Sequence, residues 1–146
     1  AYLKRSIADI EKLAGPGFNA RICKGIYKEN KNIAYQDPED ISKNFLAMAK
    51  AMLAKNSYAC YATHDLQLID DLVSLTKEMD ADTSKFEFQV LYGVPMKGKL
   101  NELLKSGYKV RVYVPYGPDW YDYSIRRIKE NPNIAGYVIK NLFAKW

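Results

Sequence analysis

Four short apolar runs recur along the chain, and a polar turn and a stretch of apolar residues at helical spacing follow each of them. The runs are Ala20–Tyr27, Tyr58–Thr63, Phe86–Leu91 and Lys109–Val114, each the length of a strand. Before the first, Leu3, Ile7, Ile10 and Leu13 predict a helix over Leu3–Leu13, stopped by Gly15-Pro16-Gly17. After it, Lys28–Pro38 reads as loop, and Asp37 or Asp40 can cap a helix that carries Ile41, Phe45, Met48, Ala49 and Met52 on one face. The second run leads through His64 to Asp65, a cap for a helix over Leu66–Met79. The third leads to a short helix at Leu100–Leu104, ended by Gly107. The fourth closes at Pro115-Tyr116-Gly117-Pro118 and opens onto a predicted helix at Trp120–Asn131.

Strand–helix alternation with short turns predicts an α/β fold with a parallel sheet and right-handed crossovers. Chemistry-bearing residues stand at every strand's C-terminal end: Lys24-Gly25, Thr63-His64, Leu91-Tyr92-Gly93 and Tyr113. A (β/α)8 TIM-like barrel places its active site there, and four units are half of such a barrel. The rival is an open doubly wound sheet. No Gly-x-Gly-x-x-Gly turn follows any strand, so the dinucleotide fingerprint of that fold is missing.

Length and composition narrow the class. The 146 residues, 48% apolar and 27% charged, suit one globular domain, here taken as 1–146. No apolar run reaches membrane-spanning length. The net charge of +5 comes from lysines spread over every helix and loop, which argues against a nucleic-acid partner. Cys23 and Cys60 each fall in a strand predicted to be buried, and both read as reduced core residues in a reducing, cytoplasmic compartment. With one histidine in the chain, a multi-histidine metal site is excluded and no metal is expected.

The candidate site residues each have a functional and a structural reading. Arg21, inside an apolar strand, reads as a buried guanidinium in need of an anion, either a ligand or a structural partner such as Glu87. Lys24 occupies the strand-end position of a Schiff-base lysine, or is a solvated lysine at a loop mouth. His64 is a ligand donor or a helix-start cap. Tyr92, Tyr113, Tyr116, Tyr121 and Tyr123 gather late in the chain and suit packing or a flat ligand. On the last helix, Tyr123, Arg127 and Glu130 share a face, and Arg126 meets Glu130 at the i,i+4 spacing. Adjacent arginines beside a phenol are equipped to bind a carboxylate or phosphate.

Several of these segments, in order and spacing, resemble proline dehydrogenase. They are Arg21-Ile22-Cys23-Lys24-Gly25-Ile26-Tyr27, Ala62-Thr63-His64-Asp65, Phe86–Gly93, Arg111-Val112-Tyr113-Val114-Pro115 and Tyr123-x-x-Arg126-Arg127-x-x-Glu130. Ala1-Tyr2-Leu3 is similar to the run just past the fourth strand of that family's barrel. The resemblance covers nearly the whole chain. It implies a distorted (β/α)8 barrel that binds FAD, with this chain as its second half, strands five to eight.

The resemblance also implies roles. Arg21 and Tyr113 are the catalytic residues, Arg21 lying by the flavin N5. Arg21, Lys24, Gly25, Ile26, Thr63 and His64 hold the cofactor. Leu91 and Tyr113 pack on the substrate ring, Tyr123 walls the pocket, Arg126 and Arg127 grip the substrate carboxylate, and Glu130 supports them from one turn on. The implied reaction is hydride transfer from L-proline C5 to FAD, giving 1-pyrroline-5-carboxylate, with the electrons passed to a membrane quinone. Asp65 stands where the family usually has Asn, Ile26 where a small residue is common, and Lys28 where an aromatic or apolar one is typical. Tyr113 favours proline over hydroxyproline, whose oxidation is the alternative activity. A Schiff-base aldolase using Lys24 is the rival from another class.

Half a barrel leaves two sheet edges unpaired, so the N-terminal half is expected from a partner chain or from more of the same protein. At 136–146, Val138, Ile139, Leu142, Phe143 and Trp146 stand at helical spacing opposite Lys140 and Lys145. This amphipathic segment either packs on the barrel or docks peripherally on a membrane, the inner membrane being the one implied for quinone access.

Overall fold

A computed structural model of the chain describes residues 1–25, 29–114, 116–119, 121–122 and 125. In chain order the elements are α1 (Ser6–Leu13), β1 (Asn19–Cys23), α2 (Pro38–Ala54), β2 (Tyr58–Ala62), α3 (Leu66–Glu78), β3 (Phe86–Leu91), α4 (Lys99–Lys105) and β4 (Val110–Tyr113). Tyr121, Asp122 and Ile125 are helical, as expected of the Trp120 segment. The other residues of that segment, and all of 126–146, lie outside the described residues.

The helices start where the cap chemistry puts them. Asp37 accepts the Glu39 N–H at 2.7 Å, with Pro38 at the first helical position of α2, where its missing N–H costs nothing. Asp65 accepts from Gln67 and Leu68 at 3.1 and 3.2 Å and opens α3. The first helix starts later than its periodicity predicts. Leu3 is engaged instead in an antiparallel bridge with Ala34, so α1 begins at Ser6 and buries only Ile10. Strand β1 is shorter than predicted and stops at Cys23. Gly25 follows with φ +95°, a left-handed conformation that ends extended pairing.

The sheet order is β1-β2-β3-β4 and every pair is parallel. Strand order therefore copies chain order. A doubly wound sheet reverses its order at a switch point, and among the described strands there is no reversal. The register carries Ala20 onto Ala59, Ala59 onto Phe86 and Phe88 onto Val110, which sorts the side chains into two faces. One face presents Ile22, Ala59, Tyr61, Phe86, Phe88 and Val90 to Phe45, Met48 and Met52 of α2, Leu68, Ile69 and Leu72 of α3 and Leu103 of α4, all in one apolar core. Tyr61 sits at its centre, 5.7 Å from Phe86 and 5.6 Å from Phe88 between ring centroids. The helices thus cover a single face, and the other is left for polar chemistry.

Along the free edge of β1, the Ala1 amine and Tyr2 N–H donate to the Cys23 and Lys24 carbonyls. Tyr2 lies so close over Gly25 that a Cβ there would be 2.0 Å from its ring. Glycine at this position is therefore required twice, by φ and by space.

Candidate functional site

The face opposite the helices bears Asn19, Arg21 and Cys23 on β1, Tyr58, Cys60 and Ala62 on β2, Glu87, Gln89 and Leu91 on β3, and Arg111 and Tyr113 on β4. Its lower tier is organised by one carboxylate. Glu87 accepts from Arg111 Nε at 2.6 Å and Nη2 at 3.0 Å, from Gln89 Nε2 at 2.6 Å and from Tyr58 OH at 2.9 Å. The Arg111 fork, with help from Gln89 and Tyr58, outweighs burial and draws the Glu87 carboxyl down to about 2. Burial first, and then the bond to Glu87, pushes the Tyr58 phenol up to about 12. The neighbouring Cys60 thiol is pushed up to about 11 by burial and then by the same carboxylate. At neutral pH this tier is a fixed anion ringed by donors, with no thiolate nucleophile.

This corrects two expectations. Arg21 is exposed on the polar face and does not pair with Glu87, which is committed to Arg111. The register explains the choice, since Glu87 lies two strands from Arg21 and one from Arg111. Cys23 is exposed as well, because the parity of β1 turns Ile22 toward the helices and Cys23 away from them, whereas Cys60 is buried. No metal-binding group of three acidic, cysteine or histidine side chains forms among the described residues.

The upper tier holds Arg21, Leu91 and Tyr113, with Lys24, Thr63 and His64 at the strand ends beside it. The Arg21 guanidinium lies 5.1 Å from the Tyr113 ring centroid, a cation–π contact between the outermost strands. The hydrogen-bonding line from Arg21 through Cys60 and Glu87 reaches β4 at Lys109, four residues short of Tyr113.

His64 Nε2 accepts the Leu91 N–H at 2.9 Å and ties the end of β2 to the end of β3. That nitrogen is therefore unprotonated. Burial, and then the Arg21 charge, lowers the imidazole from its ordinary value. Thr63 is buried, and its hydroxyl accepts the Asp65 N–H at 3.2 Å. Lys24 donates to Asp65 Oδ2 at 2.5 Å, so its partly exposed ammonium is engaged in an ion pair. For Asp65 the Lys24 hydrogen bond and the helix N–H groups outweigh burial, which acts the other way, and hold the carboxyl below its ordinary value. Sequence reasoning missed the Glu87 cluster and the Lys24–Asp65 pair. The signal for the first was present, as Glu87 and Arg111 are polar at alternate positions of apolar strands. Ile26, Tyr123, Arg126, Arg127 and Glu130 lie outside the described residues.

Comparison with known proteins places the chain in a family. The proline dehydrogenase family model matches residues 1–139. The chain belongs to the proline dehydrogenase family. It is 42% identical to proline dehydrogenase 1 of Bacillus subtilis over 150 residues, which covers 99% of this chain and 48% of the relative. It is 39% identical to proline dehydrogenase 2 of the same species, again covering 99% and 48%. Identity to the Deinococcus radiodurans proline dehydrogenase is 38%, covering 97% and 46%. The chain thus spans about half the length of these curated relatives. Among solved structures it is similar to proline utilization A (PutA) from Bdellovibrio bacteriovorus inactivated by N-propargylglycine, with a TM-score of 0.75 at 23% identity over 89% of this chain and 16% of that one. The fold is therefore that of a proline dehydrogenase-type α/β domain. Family membership also sets aside the aldolase reading, in keeping with the engaged state of Lys24.

Proposed function

We propose that this chain is the C-terminal half of a proline dehydrogenase barrel, strands five to eight, and that the complete protein oxidises L-proline to 1-pyrroline-5-carboxylate. The family match over residues 1–139 carries this reading. The N-terminal half comes from a partner chain or from the remainder of the same protein. Its strands extend the sheet past β1 and β4, whose outer edges carry no further strand among the described residues.

The residues present fit a flavin. The upper tier offers Arg21, a cation without a carboxylate partner among the described residues, whose charge acts on the His64 imidazole at the end of β2; the buried Thr63 precedes that histidine. A cation and neutral groups suit a ring system that gains electron density when it is reduced, and a phosphate tail. Arg21, Lys24, Gly25, Ile26, Thr63 and His64 are the holding residues. FAD, when bound, supplies the two-electron acceptor for the C5 hydride and the outlet to a quinone.

The chain's own part is binding and orientation. Leu91 and Tyr113 end adjacent strands, joined by the Tyr92 N–H to Tyr113 carbonyl bond at 2.9 Å, and form one wall for the substrate ring. His64 fixes the Leu91 end of that wall and Arg21 packs on the Tyr113 end. Arg126 and Arg127 clamp the carboxylate beside Tyr123, with Glu130 in support. Adjacent helical residues diverge by about 100°, so the two forks reach the carboxylate from different sides. Holding the ring by carboxylate and wall together is a proximity effect. The segment 136–146 lies outside the described residues, and packing on the barrel or peripheral membrane contact for quinone access belongs to this proposal.

The test is the visible absorption spectrum of the full-length protein under anaerobic conditions. A flavin band that bleaches on addition of proline is expected, and absence of flavin or of bleaching overturns the reading. Arg126→Met and Arg127→Met are expected to retain the flavin band and to raise the proline concentration for half-bleaching by about a hundredfold, as removal of a charged hydrogen bond of roughly 2–3 kcal/mol requires. Loss of flavin with unchanged proline affinity would put the pair in the wrong site.

A further inference from the structure

Asp65 is placed to do more than cap a helix. One carboxylate oxygen takes the second and third N–H groups of α3, from Gln67 and Leu68, and the other takes the Lys24 ammonium at 2.5 Å. Its own backbone is anchored by the N–H bond to buried Thr63. The donors that most attract an anion at this strand-end mouth, a lysine and a helix N-terminus, are therefore already satisfied by an anion of the protein. Both partners remain partly exposed, Lys24 at 28% and Asp65 at 37% of the side chain, so a ligand anion can reach the ammonium. It must then share Lys24 with a carboxylate that keeps its helix donors.

We infer that Asp65 is an internal competitor for the phosphates of the cofactor. It holds Lys24 in a neutral pair and lowers the affinity of the mouth for an anionic ligand, while leaving recognition of the uncharged flavin ring untouched. The inference rests on the flavin site proposed above. Asp65 thus acts through Lys24 and the local charge, as a residue that tunes cofactor retention and makes no contact with the reacting atoms.

Asp65→Asn separates the two jobs, because asparagine caps a helix about as well as aspartate and carries no charge. Asp65→Ser caps too, and serves as a second variant should the first fail to fold. With apo full-length protein titrated by FAD and, separately, by riboflavin, the variant is expected to bind FAD about three- to tenfold more tightly, the scale of one partly exposed ion pair. Riboflavin affinity is expected to stay unchanged, and the gain for FAD to shrink in high salt. Unchanged or weakened FAD binding in both variants overturns the inference, as does an equal gain for riboflavin. A parent protein that binds neither flavin overturns the functional reading itself, a result distinct from a parent that binds FAD with variants that bind it no better.

Discussion

At the scale of single residues, Glu87 shows how one side chain sets the chemistry of its neighbours. It is 4% exposed and holds four donors, two of them from Arg111. Its carboxyl lies near 2 in the fold and near 4.3 in an unfolded chain. A depressed carboxylate contributes stability that is complete above its unfolded value and is lost as pH falls through the folded one. Acid unfolding of the full-length protein is therefore expected to gain a component between about pH 4.5 and pH 2. Glu87→Gln should remove that component and cost about 2 kcal/mol at neutral pH in a urea melt, since Arg111 would lose its counter-charge while remaining exposed enough to be hydrated. Tyr61 is the opposite case. Its buried hydroxyl has no hydrogen-bond partner among the described residues, and burial alone is the main force raising its phenol. Tyr61→Phe should leave stability unchanged or raise it by about 1 kcal/mol, read as an equal or higher melting temperature.

At the scale of elements, the parts written in local chemistry were legible and the parts set by partners were not. Asp37 with Pro38, and Asp65 before Leu66, mark helix starts through hydrogen bonds made within three residues, so α2 and α3 follow directly from their sequences. Asp37→Ala is expected to destabilise the protein by about 1 kcal/mol in a thermal or urea melt, while Asp37→Asn should be near neutral. Arg21 and Cys23 were misplaced because nothing in a five-residue strand says which parity the helices will cover. That is decided by Phe45, Leu68 and Leu103, distant in sequence. The partner of Glu87 was missed for a related reason, since it depends on which strands become neighbours. The strand-end residues were legible as a group because their position after each apolar run is a local fact, and the resemblance of those segments to proline dehydrogenase gave them roles.

At the scale of the whole molecule, in-order parallel pairing with helices on one face makes the described residues a contiguous arc of four strands, and the family match places the chain in the proline dehydrogenase family. If the arc is half of a closed barrel, the flavin and substrate must be shared between the halves. The isolated 146-residue chain is then expected to bind no FAD, to associate at its sheet edges as seen by light scattering, and to regain a flavin band when the complementary half is supplied. Yellow, active protein from this chain alone would refute the shared-site reading.

The two-faced sheet also limits which changes in length the chain tolerates. Between residues 86 and 91 every second side chain is a large apolar group and the ones between include an anion. Deleting or inserting one residue there would drive Glu87 into the aromatic layer and turn Phe86 and Phe88 outward onto the ligand face, whereas the turn at 80–82 or the loop at 29–33 has no face to lose. Length variation among working versions of this domain should therefore be confined to the connections. The strands behave as fixed-length cassettes in which a two-residue change is less harmful than a one-residue change.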